Sequence, residues 1–167
     1  PYLKINVVLL KGFNACEVPD FALLAKMRPL HVRFIECMPT NLNYGMEFQK
    51  TEIPTTENRS KVIVKRFSCK SYDDLFFSAA DAKDMCSSLG ELIPVNPEAQ
   101  GVARLFRIDG FCGTVGFIAP MSDPFCSSCN KLRLAADGRI KNCLHSAEGI
   151  DLKKAIDEGA SDDELAA

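Results

Sequence analysis

The chain has 167 residues, 47% of them hydrophobic and 25% charged, an ordinary globular composition that excludes wholesale disorder and collagen-like structure. A net charge of −2 argues against bulk nucleic-acid binding, and the longest aliphatic run, Val7–Leu10, falls far short of the roughly 20 residues of a membrane span. Eight cysteines are too few for a disulfide scaffold and many for an ordinary cytosolic protein. No basic leader or small-residue cleavage site opens the chain, so a cytoplasmic location is expected. The length admits one domain or two small ones with a core that needs no disulfides.

Lys4–Leu10 is β-branched and aliphatic and ends at Lys11-Gly12, which predicts a strand buried on both faces. Over residues 17–27, Val18, Phe21, Ala22, Leu24 and Ala25 recur at helical spacing, and Pro29 stops that helix. His31–Cys37 is a second strand, so the first 37 residues predict a βαβ unit with parallel neighbours. One such unit cannot close a sheet, and the chain is expected to be cut from something larger. Pro39–Asn58 reads as loop, Ser60–Phe67 as strand-like, and 73–89 as a helix ending at Gly90. Leu92–Val95, Val102–Ile108 and Thr114–Ala119 are short strands, expected to form an antiparallel α+β layer beside the βαβ unit. Asp151 caps a helix over 151–158, and Ser161-Asp-Asp-Glu164 is a capping box opening another. Both ends of the chain are expected to be truncated.

The strongest chemical signal is Cys126-x2-Cys129-x13-Cys143. Two thiolates three residues apart can grip one metal from a tight loop, and the third must return across a hairpin. Lys131–Ala135 and Arg139–Cys143 flank Ala136-Asp137-Gly138, a turn with Gly where a positive φ is wanted. A three-residue loop with Gly138 in a bulge pairs Leu134 with Ile140 and Leu132 with Asn142, keeping apolar side chains together. That register puts Cys143 beside Lys131, with Arg133 and Lys141 on the same face. Three cysteines leave one metal position unfilled. A zinc site would recruit His145, whereas an iron–sulfur cluster would keep one iron open, and spacing alone does not decide between them. Cys16, Cys37, Cys69, Cys86 and Cys112 are expected to be buried apolar thiols.

On the first strand Lys4 and Asn6 share a face with Val8, and on the second Arg33 shares a face with Ile35 and Cys37. Charges inside a doubly covered strand must be paired or line a cavity. Lys4 and Arg33 therefore either reach solvent at frayed strand starts or recognise an anion in a barrel mouth. Lys131, Arg133, Arg139 and Lys141 face the same choice between a solvated edge and a phosphate site.

The stretch Asp123-Pro-Phe-Cys-Ser-Ser-Cys-Asn-Lys-Leu-Arg-Leu-Ala-Ala-Asp-Gly138, followed by Lys141-Asn-Cys-Leu144, closely resembles the carboxy-terminal signature of the GTP 3′,8-cyclase family. These radical S-adenosylmethionine lyases start molybdenum-cofactor biosynthesis. Leu3-Lys-Ile-Asn-Val-Val8, Val32-Arg-Phe-Ile-Glu-Cys-Met-Pro39, and Phe106-Arg-Ile through Gly113-Thr-Val-Gly-Phe-Ile118 support the resemblance in family order. It implies an α/β fold: residues 1–40 as the last βαβ unit of a partial TIM-type barrel, then an α+β domain with antiparallel strands over 41–167. It also implies a carboxy-terminal 4Fe–4S cluster on Cys126, Cys129 and Cys143, its open iron facing the guanine of GTP. GTP contacts fall on Lys4, Arg33, Lys131, Leu132 and Arg133, and a backbone contact to S-adenosylmethionine falls on Met38. The second 4Fe–4S cluster, which cleaves S-adenosylmethionine, belongs to a preceding half that this sequence does not contain. The implied reaction removes the ribose 3′ hydrogen of GTP with a 5′-deoxyadenosyl radical, and the carbon radical then attacks guanine C8. The share of this chain would be to position the substrate.

The sequence departs from the family at several points. Lys131 replaces an Arg, exchanging a bidentate fork for a point charge. His145 stands where the family usually has Phe, residues 54–77 match poorly, and the closing Gly-Gly tail is absent. The expectation is a GTP-binding, cluster-bearing part of the cyclase, inactive alone, with no nucleic-acid or membrane partner. A homodimer is one outcome of an open sheet edge. The alternative is a zinc-stabilised structural or interaction module using Cys126, Cys129, Cys143 and His145.

Overall fold

The computed structural model describes residues 3–39, 71–95, 101–144, 146 and 148–166, and the chain divides into two compact units, residues 1–125 and 126–167. The stretch expected as strand at Ser60–Phe67, most of 54–77, Cys69 and His145 lie outside the described residues.

In the first unit, β1 (Lys4–Leu9) leads through a 3-10 turn (Ala15–Glu17) into α1 (Val18–Leu23) and then β2 (His31–Glu36). The strands run parallel, from Lys4 opposite His31 to Leu9 opposite Glu36, as a βαβ unit requires. The helix ends before the 17–27 stretch does. Its continuation is three-residue turns, with Ala25 N donating to Ala22 O at 3.0 Å and Lys26 N to Leu23 O at 3.0 Å. These bend the chain toward Pro29 and into β2.

The expected 73–89 helix is two helices, α2 (Tyr72–Leu75) and α3 (Ala79–Ser87). The break has a local cause. Ser71 and Asp74 form a capping box at the first, and Ser78 accepts from Asp81 N to start the second, with Phe76 extended between them.

Three short strands follow: β3 (Leu92–Val95), β4 (Arg104–Ile108) and β5 (Thr114–Ile118). They do not form a separate layer. β5 lies parallel to β2, and β4 and β3 continue antiparallel, giving one five-stranded sheet in the order β1-β2-β5-β4-β3.

Among the described residues, helices cover only one face of this sheet. Val7, Leu9, Val32, Phe34, Val115 and Phe117 form the core with Val18 and Ala22 of α1 and with Ala79, Ala82 and Cys86 of α3. Phe34 stacks on Phe117 with ring centroids 5.8 Å apart. Fully burying a side chain such as Phe34 or Leu9 contributes about 1.5–3 kcal/mol each. β1, at the end of the sheet order, is not buried on both faces: Lys4, Asn6 and Val8 are exposed while Val7 and Leu9 are buried. Its aliphatic composition suggested double burial, but the covering helices exist on one side only among the described residues.

The second unit holds β6 (Arg133–Leu134), β7 (Arg139–Lys141) and β8 (Ile150–Asp151), followed by α4 (Leu152–Asp157) and α5 (Asp162–Ala166). The three strands form an antiparallel sheet in chain order. Asp151 caps α4 by accepting from Lys154 N at 2.9 Å. Ser161 and Glu164 exchange both capping-box hydrogen bonds, at 2.8 and 3.4 Å. The fold is therefore mixed α/β, with a five-stranded sheet and a separate antiparallel sheet. No helix among the described residues is long and apolar enough to cross a membrane.

Candidate functional site

Strand alternation sends every second side chain to the face of the five-stranded sheet that the described helices do not cover, and at the start of β1 and β2 those side chains are polar. The register aligns Lys4, His31 and Thr114 in one row across β1, β2 and β5, and Asn6, Arg33 and Gly116 in the next. Arg33 Nε donates to Asn6 Oδ1 at 3.0 Å, and His31 Nδ1 is hydrogen-bonded to Thr114 Oγ1. Lys4 is exposed and Arg33 half-buried, so both sequence-predicted cations stand on one accessible face. A side chain at Gly116 would come within 2.7 Å of Leu105 Cδ2 and 3.3 Å of Arg33 Cγ. Gly116→Val is expected to push Leu105 and the Arg33 stem aside and to destabilise the protein by about 1–3 kcal/mol, which urea titration would measure.

The pKa of His31 lies below its usual value, first because of burial and then because Lys4 and Arg33 repel a further positive charge. Its folded-state pKa being depressed, His31 contributes stability above about 6.5 that is lost as pH falls through the folded value. The His31 imidazole resonances are therefore expected to titrate at higher pH in high salt, which screens Lys4 and Arg33, than in low salt; an unchanged midpoint would show that these two charges do not act on His31.

Glu36, on the core face of β2, is 1% exposed. One carboxylate oxygen accepts from Ala79 N at 2.9 Å and from the Ser122 hydroxyl; the other accepts from Met121 N at 3.0 Å and Ser122 N at 2.9 Å. Burial raises its pKa, but the N–H of Ala79, the Ser122 hydroxyl and the N–H groups of Ser122 and Met121 outweigh this and hold it below the usual range. The carboxylate thus ties the end of β2 to the start of α3 and to the segment following β5. Met38, two residues further on, is half-buried. Nothing in the chain reading marked Glu36, although an acid two residues after Phe34 on an inward-facing strand position was a visible signal. A cavity of about 410 Å³ opens beside this clamp, lined by Lys83, Arg104, Phe106, Phe117 and Ser122 among others.

In the second unit, Cys126 opens a 3-10 turn (Cys126–Ser128), and Cys129 N donates to Cys126 O at 3.2 Å. Both thiols are exposed, and Cys143, just past β7, is half-buried. The hairpin between them has the expected register, with Arg133 opposite Lys141 and Leu134 opposite Ile140. Ala135 N donates to Arg139 O at 2.8 Å, and Gly138 closes the three-residue loop with φ of 83°. Leu134, Ile140 and Ile150 line up on one face, with Leu134 71% exposed and Ile150 72% exposed. Arg133, Arg139 and Lys141 occupy the other face.

The donor set suits an iron–sulfur cluster or zinc: three soft thiols on one small unit. In this conformation they are not drawn together, and among the described residues no group of three His, Cys, Asp or Glu side chains is arranged to hold a metal ion. Of the remaining cysteines, Cys37 and Cys86 are buried, and burial pushes the Cys86 thiol up to about 12. Cys16 and Cys112 are exposed, which corrects the expectation that they are core thiols. Cys16 lies in the 3-10 turn before α1 and Cys112 in the connection between β4 and β5.

Comparison with known proteins follows the same lines. The family model described as Molybdenum Cofactor Synthesis C matches residues 67–167. A GTP 3′,8-cyclase of Moorella thermoacetica is 38% identical over 165 residues, covering 99% of this chain and 43% of its own length. A GTP 3′,8-cyclase of Pelotomaculum thermopropionicum is 37% identical, covering 99% of this chain and 44% of its own length. Molybdenum cofactor biosynthesis protein moc-5 of Caenorhabditis elegans is 36% identical over 99% of this chain and 24% of its own. The chain thus spans less than half the length of each of these relatives.

Proposed function

The chain belongs to the Molybdenum Cofactor Synthesis C family, and from that premise we propose that it is the carboxy-terminal part of a GTP 3′,8-cyclase, binding GTP for radical cyclisation and inactive by itself. One observation carries the reading: a single short hairpin unit holds three thiols, Cys126, Cys129 and Cys143, together with the cations Lys131, Arg133 and Lys141. β1 and β2, parallel and joined by a helical crossover, are taken as the last strands of a partial TIM-type barrel within residues 1–40, with 41–167 as the substrate domain. Their polar face, with Lys4 and Arg33, supplies further contacts to GTP, and Met38 beyond β2 the backbone contact to S-adenosylmethionine.

Cys126, Cys129 and Cys143 would hold the carboxy-terminal 4Fe–4S cluster. When bound, such a cluster leaves one iron coordination position open to a base nitrogen of the substrate. The chain's own residues orient and neutralise. Arg133 offers a planar fork to phosphate or base oxygens, Lys131 a point charge, and Lys4 and Arg33 two cations on an accessible sheet face. GTP carries about four negative charges, so cations on either unit attract it.

Anaerobic reconstitution with iron and sulfide tests the reading. A brown protein absorbing broadly near ~400 nm, with GTP affinity lowered about tenfold or more by Arg133→Ala, is the expected result. A colourless protein holding one tight zinc, with GTP affinity unchanged by Arg133→Ala, would overturn it in favour of a zinc-stabilised module.

A further inference from the structure

We propose that Lys141 is a substrate-binding residue that forms, with Arg133 directly across the hairpin, a two-cation clamp for the phosphate oxygens of the nucleoside triphosphate; this rests on the GTP-binding reading above. The register makes Arg133 and Lys141 direct cross-strand partners, so their side chains leave the same face of the sheet from adjacent strands. Like charges in that position repel and weaken the strand pair. A neighbouring acid would ordinarily relieve this, and the adjacent cation shows how: Arg139 Nε lies 3.6 Å from Asp151 and 3.9 Å from Asp137. Neither Arg133 nor Lys141 has such a partner among the described residues. Three cations therefore stand on one face of a three-stranded sheet, one of them neutralised internally and two left opposed.

The backbone also makes room for the Lys141 stem. A side chain at Gly149 would come within 2.7 Å of Ile140 O and 3.1 Å of Lys141 Cγ. With glycine there, the aliphatic part of Lys141 lies against the chain just before β8 and is half-buried, while Arg133 is exposed. Such a stem is held in fewer rotamers than a free surface lysine, which lowers the entropy lost when its ammonium is fixed by a ligand. A dianionic or more highly charged group bridging the two cations would convert their repulsion into two charge-assisted contacts.

A structural role and a binding role predict opposite signs. If Lys141 serves the ligand, removing its charge relieves repulsion in the free protein and weakens binding. The test uses the full chain after anaerobic reconstitution, with GTP and guanosine as probes in equilibrium dialysis and thermal melting of the ligand-free protein. Lys141→Gln is expected to lower GTP affinity about tenfold and raise the melting midpoint by about 1–3 °C. Guanosine binding is expected to change less than about twofold, because guanosine carries no phosphate to contact. Lys141→Arg, which keeps the charge, retains GTP binding, and Arg139→Gln, whose charge is already matched by acids, leaves it within about twofold. If Arg133→Ala weakens GTP binding but Lys141→Gln does not, the clamp is overturned and the GTP-binding reading stands. If neither variant weakens it, both are overturned. A lower melting midpoint in Lys141→Gln with unchanged affinity assigns the residue to the fold alone and overturns the clamp.

Discussion

Glu36→Gln is expected to destabilise the protein by about 2–4 kcal/mol, a large part of the roughly 5–15 kcal/mol that holds a domain folded. The carboxylate is 1% exposed and both its oxygens accept, one from Ala79 N and the Ser122 hydroxyl, the other from Met121 N and Ser122 N. A glutamine amide has one acceptor and one donor end. Turned either way, its –NH2 meets at least one backbone N–H head-on, leaving that donor buried without a partner. The melting midpoint should fall by roughly 4–16 °C. The pH dependence carries a sign as well. Because the folded-state pKa of Glu36 is depressed, its contribution is complete above about 4.5 and is lost as pH falls through the lower folded value. The gap between the unsubstituted protein and Glu36→Gln should therefore narrow on acidification. Urea titrations at neutral and acid pH measure both effects, and a neutral-pH difference below about 0.5 kcal/mol would show that the clamp holds nothing together.

Cys129→Ala is expected to abolish iron and sulfide uptake on anaerobic reconstitution and to cost almost no stability. Cys129 is exposed, and substitutions at such positions stay within about 0.5 kcal/mol. Two remaining thiols cannot retain a cluster that three are proposed to hold. The exposed cysteines of the first unit supply the control: Cys16→Ala and Cys112→Ala should leave iron content unchanged. Equal iron loss from the Cys112 variant would sink the assignment, because it would show non-specific binding by accessible thiols. Retention of full iron by Cys129→Ala would sink it equally.

The hairpin shows how much chemistry a sequence can carry by itself. Ala136-Asp137-Gly138 between alternating apolar and cationic residues implied a three-residue loop, and the pairing of Leu134 with Ile140 follows that register. Turn chemistry is local, so neighbouring residues contain the answer. The caps at Asp151 and Ser161 were legible for the same reason. The parallel pairing of β1 with β2 was also legible, since a strand, a short helix and a strand have few other ways to connect.

The sheet is different. Local pattern put β3, β4 and β5 in a layer of their own, whereas β5 pairs with β2 across almost eighty residues of chain. No window of the sequence contains that contact. With it come the alignment of Lys4, His31 and Thr114, the exposure of one whole face of β1, and the closing of the segment after β5 onto Glu36. The exposure of Cys16 and Cys112 belongs to the same class, because burial depends on what the rest of the chain lays over a residue.

From its residues alone, then, this protein disclosed its family, its local elements and the segment bearing its cysteines and cations, all of which rest on short-range spacing. Tertiary structure alone decided which strands became neighbours. It thereby decided which polar side chains share a face and which acid is buried, because strand pairing is chosen by long-range burial and backbone hydrogen bonding that no local pattern encodes.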